Sequence, residues 1–461
     1  MHSDPPSRVD SRGLPMAKPP DPQALAAERA WLADLAQKPR ALRWWTFLRH
    51  GGPGYLQSAL TLGGGTASAC LIAGAAFGYD LLWVAPLGIL TGAVVMLAVG
   101  YQTLSTGMRP ITAMRVHAGP FYAWCWAIGC LLASMIWHFP QYSLGSALMV
   151  DLGKVFGAEV SRPAMGALIF VWAIVSAQLF ASGSRAMKVF DRLLTIFVWL
   201  IVACFAVVVI ATGIQDWGAI WRGFFAFRVP PPSHGVAGFE VALAGVAAAV
   251  VVNMVFLYPY TLLARGWGRE HRSLARFDLV MGLVVPYMLV TSLIVIATAN
   301  TLHAQGLFHG KGLGPVEAAN VLASVLGSQV GRVMFDLGVL GMVLTTITMH
   351  MVCAAFACSE LFGWEFGSRH YRLALLLPTP GVLGCVWWQE LSVYVAVPTS
   401  ILVAFFLPVT YLGFLKLQRS KAYLGADLPR GRIGAIWYAA MLAATLIIVG
   451  FLGYQLYELV T

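Results

Sequence analysis

Long apolar blocks run the length of this chain, separated by short polar segments. A helix needs roughly 20 apolar residues to cross a bilayer. By that measure eleven spans are predicted, at 54–76, 80–104, 118–150, 163–183, 189–212, 238–263, 277–301, 329–360, 372–389, 391–416 and 434–458. Ahead of them, residues 22–49 place Leu25, Trp31, Leu32, Leu35 and Leu42 at helical spacing among Arg29, Lys38, Arg40, Arg43 and Arg49. This pattern predicts an amphipathic helix on the membrane surface, with Trp44 and Trp45 at the interface. Residues 1–20, rich in proline, serine and charge, are expected to be disordered. The predicted organisation is a cytoplasmic N-terminal segment (1–50), a core of ten transmembrane helices (51–417), and a loop with an eleventh helix (418–461).

Two spans carry interruptions. In the first, Gly63-Gly64-Gly65-Thr66 sits mid-span. Each glycine in a helix interior costs about 1 kcal/mol relative to alanine. In lipid a broken helix persists only where protein or a cavity satisfies the freed backbone. In the sixth span, Asn253 and Pro259 fall in one apolar stretch, and Pro259 cannot donate to the carbonyl of Val255. Breaks five spans apart are what a five-plus-five inverted repeat predicts, and such breaks are where secondary transporters hold substrate.

Composition narrows the class. Hydrophobic residues make up 59% of the 461 and charged residues 11%, more apolar sequence than a soluble core needs. The net charge of +10 would suit nucleic acid, but its placement excludes that reading. With the N-terminus inside, 24 of the 30 lysines and arginines fall on the cytoplasmic side, as the positive-inside rule requires. The expectation is a multi-pass inner-membrane protein with a cytoplasmic N-terminus, an outer C-terminus and no cleaved signal peptide. The seven cysteines lie in or beside apolar spans without a CxxC pair and read as packing residues.

Several stretches resemble the NRAMP family of divalent-metal transporters across residues 50–417. They include Gly52-Pro53-Gly54-Tyr55-Leu56, Phe277-Asp278-Leu279, Phe335-Asp336-Leu337-Gly338, Glu360-Leu361-Phe362-Gly363-Trp364 and Leu407-Pro408. The resemblance implies a LeuT-type fold, all-α and polytopic, with broken helices one and six and an appended eleventh helix. It also marks departures. The family's first-helix Asp-Pro-Gly-Asn, which binds metal, aligns with Gly63-Gly64-Gly65-Thr66. Its sixth-helix Met-Pro-His aligns with Asn253-Met254-Val255, and a second histidine with Tyr260. The acidic residues of its third helix align with Phe139 and Tyr142, beside a retained Gln141.

The residues that remain suggest other chemistry. Every acidic side chain falls near a span end, so a bare dication among Gly, Thr and Asn would be costly. Unwound backbone before a half-helix offers N–H groups and the positive end of its dipole. The substrate-binding candidates are Gly63, Gly64, Gly65, Thr66, Ser68, Asn253, Tyr258, Gln141 and Ser400. The proton-coupling candidates are His138 and His350. Thr345, Thr346 and Thr348 either face a pocket or bond their own helix. No metal ligand set, cofactor or enzymatic constellation is predicted.

The leading expectation is an alternating-access transporter, coupled to protons, for a small organic anion. That solute is a carboxylate such as citrate or an amino acid, with or without a metal. A divalent-metal transporter with a remodelled site is the alternative. A non-transporting receptor or scaffold is the alternative of another class.

Overall fold

The computed structural model describes residues 13–17, 19–48, 52–181, 184–214, 216–311, 313, 327–387 and 393–460. Residues 1–12 and 18 of the predicted disordered segment, Arg49 and Glu390 lie outside that set. Residues 13–17 correct the expectation of disorder. The Ala17 N–H donates to the Phe366 carbonyl, and the Phe366 N–H to that of Pro15, both at 2.9 Å. The predicted surface helix is two helices, α1 (Pro22–Ala36) and α2 (Arg40–Leu48). Pro39 between them disfavours helix at the residue before it. Asp21 caps α1 by accepting from the Gln23 N–H at 2.9 Å. Trp44 and Trp45 are 61% and 68% exposed, as an interfacial pair should be.

The first crossing is α3 (Pro53–Thr61) followed by α4 (Gly64–Phe77), bent by 55° at the glycine run. Next come α5 (Val84–Thr106), the short α6 (Pro110–His117), α7 (Pro120–Val155), α8 (Arg162–Phe180), α9 (Ser184–Thr212) and the short α10 (Trp217–Phe225). The sixth crossing is α11 (Gly238–Ala249) and α12 (Val252–Ala264).

Its break corrects the sequence reading. Val250 and Val251 are extended (φ −140°, ψ 106°; φ −91°, ψ 161°), whereas Pro259 lies inside α12. A run of β-branched residues gives up helix readily, while one proline removes a single bond and is tolerated in a membrane helix.

The seventh crossing, Arg269–His303, contains α13 (Arg272–Leu279) and α14 (Val285–Thr298), with a π-helical turn after each. Then follow α15 (Ser328–Phe362), α16 (Arg369–Ala374), α17 (Ala396–Ala404), α18 (Leu407–Arg419), the short α19 (Lys421–Leu424) and α20 (Gly431–Val460). The predicted ninth span, 372–389, is not one helix. After α16 the chain turns and enters a 3₁₀ segment at Thr379–Cys385, because Pro378 and Pro380 cannot continue an α-helix. Gly381 and Gly384 let this segment lie against α7. A Cβ at either would overlap His138 or the Phe139 carbonyl.

Among the described residues, eight helices are long and apolar enough to cross a membrane, and α3–α4 together make a ninth crossing. The sixth crossing is wholly buried over its most apolar window, whereas α20 is 28% and α8 33% buried. The broken helices therefore sit at the centre, and α8 and α20 face lipid. The axis of the bundle is the antiparallel seam between α7 and α15, of 36 and 35 residues. Along it His138 Nε2 lies 3.1 Å from the Ile347 carbonyl, Gly145 abuts Val343, and Asp151 pairs with Arg332.

Candidate functional site

The site forms where the two breaks meet that seam. α3 ends at Thr61, and Leu62 leaves helical geometry at φ −77°, ψ 67°. Gly63 is the N-cap of α4 and has no side chain to cap it. Gln141 of α7 takes that role across 77 residues: its Oε1 accepts from the Gly64 N–H at 2.9 Å. The Thr66 hydroxyl donates to the Thr61 carbonyl at 2.5 Å. The Thr61 hydroxyl lies 2.9 and 2.8 Å from the carbonyls of Ala248 and Ala249, which the second break has freed. One hydroxyl thus ties both breaks together. From α15, the Thr346 hydroxyl sits 2.8 Å from the Ala59 carbonyl and 2.7 Å from that of Met342.

Close approach explains why glycine fills the run. A Cβ on Gly63 would stand 2.5 Å from Thr346 Oγ1, and one on Gly64 2.8 Å from Gln141 Oε1. A Cβ on Gly65 would enter the Trp137 indole. The backbone does not demand glycine at Gly63, whose φ is −117°.

These groups line a small cavity of about 10 Å³, the room of a single water. Its polar lining is Thr61, Thr66, Gln141, Thr346 and His350, with Gly63 and Gly65 on the backbone side. Trp137, Leu60, Ala248 and Val251 complete the wall. His350 Nδ1 has no hydrogen-bond partner among the described residues, and its ring centroid is 5.9 Å from that of His138. Among the described residues, no group of three or more His, Cys, Asp or Glu is placed to hold a metal ion.

Of the predicted site residues, Gly63, Gly65, Thr66, Gln141 and His350 line the cavity, and Gly64 is bonded to its wall. His138 stands one layer behind, against the Ile347 carbonyl. The others are placed elsewhere. Ser68 is buried one turn into α4, its hydroxyl without a partner among the described residues. Asn253 faces Ser134 at 3.5 Å, because the break falls before it. The Tyr258 hydroxyl reaches the Ala275 carbonyl at 3.2 Å, and that of Ser400 its own helix at Ala396, 2.9 Å.

Thr61 and Trp137 escaped the sequence reading. Thr61 lies two residues before the glycines, at the end of a half-helix. Trp137 is one helical turn from Gln141, on its face. Replacing Thr61 with valine keeps the shape but removes the donor to two buried carbonyls. It is expected to cost about 1–3 kcal/mol, read by denaturant titration of the purified protein.

Both ends of the seam hold buried acids, near span ends as the sequence places them. Asp151 and Asp336 are fully buried. At the opposite end Glu360, also nearly buried, lies 4.0 Å from Arg109. Proximity to a span end in sequence did not mean exposure, because α7 and α15 continue to pack there.

A family model described as "Natural resistance-associated macrophage protein-like" matches residues 54–458. The divalent metal cation transporter MntH of Mycobacterium leprae is 20% identical over 415 residues, covering 86% of this chain and 90% of its own. The manganese transporter of Eremococcus coleocola, solved with an aromatic bis-isothiourea substituted compound, superposes with a TM-score of 0.73 at 15% identity. That match covers 97% of this chain and 91% of the other. MhsT in complex with L-phenylalanine superposes with a TM-score of 0.58 at 14% identity, over 87% and 98% of the two chains. These likenesses show the fold: all-α, LeuT-type, with broken helices one and six and an eleventh helix appended.

Proposed function

Because the chain belongs to the natural resistance-associated macrophage protein-like (Nramp) family of membrane transporters, we propose that it moves a divalent metal ion by alternating access through the cavity between the two breaks. The observation that carries this reading is the cavity itself, about 10 Å³ and lined by hydroxyl, amide and imidazole groups. That space, as it stands, is the size of one small guest such as a single ion. Imidazole and carbonyl oxygen both suit first-row divalent metals. The C-terminal ends of α3 and α11 add the negative ends of two half-helix dipoles. With no carboxylate on the cavity wall, binding is weaker than in a site that has one. A coupled proton would pass by way of His350, which lines the cavity, and His138 behind it, their ring centroids 5.9 Å apart. Basic segments set the N-terminus inside and the C-terminus outside.

A small carboxylate is the second reading, favoured by the N-terminus of α4, whose Gly65 and Thr66 face the cavity. Gln141 already occupies the Gly64 N–H, which leaves that end less free than the sequence implied. Calorimetry on purified protein with manganese and with citrate separates the two. Manganese is expected to bind, and His350→Ala to weaken it at least about tenfold, or 1.4 kcal/mol. Binding of citrate without metal, indifferent to His350→Ala, would replace the metal reading with the anion one.

A further inference from the structure

About three turns from the cavity along the seam, Asp151, Asp336 and Arg332 form a buried group that the transport site does not use. We propose that it is a proton-binding site, in which one proton is held between the carboxyls of Asp151 and Asp336. Asp151 lies ten residues beyond Gln141 on α7, and Asp336 ten before Thr346 on α15, so the site stands about 15 Å from the cavity.

Both aspartates have no exposed surface. Arg332 gives two nitrogens to Asp151: Nη2 to Oδ1, and Nε to Oδ2 at 3.2 Å. Among the described residues, neither oxygen of Asp336 meets a hydrogen-bond donor, although Arg332 lies one turn away on the same face of α15. The Asp151 carboxyl is the group set against it.

With both acids ionised, the group would carry one uncompensated negative charge out of water, with two like charges adjacent. A proton on Asp336 removes that charge and supplies the missing donor, its O–H bonding to Asp151.

Among the described residues, no other cation is seen paired with the group. From α7, Lys154 lies one turn past Asp151 and is exposed. From α9, Cys204 and Phe205 stand at Gly338. Arg162 opens α8 and faces Cys385 instead. Other helices touch α15 at Thr345 (Ala59 of α3), Thr348 (Ser176 of α8), Cys353 (Asn253 of α12) and Phe356 (Tyr371 of α16).

Binding of the proton does not depend on the cargo. Its use in coupling rests on the transport reading, so the test is spectroscopic. Infrared spectra of the full chain in liposomes at neutral pH should show a protonated-carboxyl stretch that shifts in D₂O. Asp336→Asn should remove it. Arg332→Gln should enlarge it, because a second proton becomes necessary once the guanidinium is gone. If the asparagine variant does not fold, the glutamine variant still decides. No such band in the wild type, a band retained in Asp336→Asn, or no gain in Arg332→Gln would each overturn the proposal, whatever the protein transports.

Discussion

Gly65→Ala should leave a folded protein that no longer transports. The added methyl would enter the Trp137 indole. That ring is 3% exposed, so accommodating the methyl would push it toward the cavity it lines. Overpacking of this kind costs about 1–3 kcal/mol, within what a membrane bundle of this size can bear. The strain falls wholly on the arrangement in which α4 closes against α7. A state that lets the two separate escapes it, so the variant should be held open and its uptake reduced at least about tenfold, on 1.4 kcal/mol per decade. Gly453→Ala is the control. A Cβ there meets nothing within 4 Å, and uptake should be unchanged.

Asp278→Ala should release the start of α3. The Asp278 carboxylate accepts from the Gly52 and Gly54 N–H groups at 2.7 and 2.6 Å, across more than two hundred residues. Pro53 between them has no N–H to offer. These are first-turn donors at the positive end of a half-helix, and hydrogen bonds to a charged group contribute about 1.5–3 kcal/mol each. Losing both would move a closed–open equilibrium by two decades or more. A cysteine at buried Ser58, read with a membrane-impermeant thiol reagent, should become reactive in the alanine variant and stay protected otherwise. Equal protection in both would show that Asp278 does not hold α3 in place.

The fold was legible because its signals are long. Spans of twenty apolar residues and a one-sided placement of arginine and lysine survive any local error. The first break was legible for a similar reason, since three adjacent glycines have few explanations in lipid. The second was misplaced by a few residues. Pro259 is a conspicuous breaker in sequence, but it costs a membrane helix only one bond. Val250-Val251, an ordinary pair in any apolar run, is where the chain becomes extended.

The ninth span failed as a helix for want of weight given to Pro378 and Pro380, and its close fit to α7 depends on glycines whose partner is 240 residues away. The site divides the same way. Gly63 and Thr66 could be found because a break marks its own neighbourhood, and Gln141 because it is retained where the third helix resembles the family. Thr61 could not, because its role comes from the approach of the two breaks, nor could Trp137 and the Asp151–Asp336 pair, whose roles come from how α7 packs against α4 and α15. Tyr258 and Ser400 were attractive as polar groups in apolar spans, yet each is satisfied by a backbone carbonyl.

The central claim is that a divalent ion passes through the cavity between the breaks. Manganese uptake into proteoliposomes holding wild type, Gly65→Ala or Gly453→Ala, against protein-free liposomes, tests it most directly. The account predicts saturable uptake by the wild type and Gly453→Ala and its loss in Gly65→Ala. No uptake by the wild type, or equal uptake by Gly65→Ala, would contradict it.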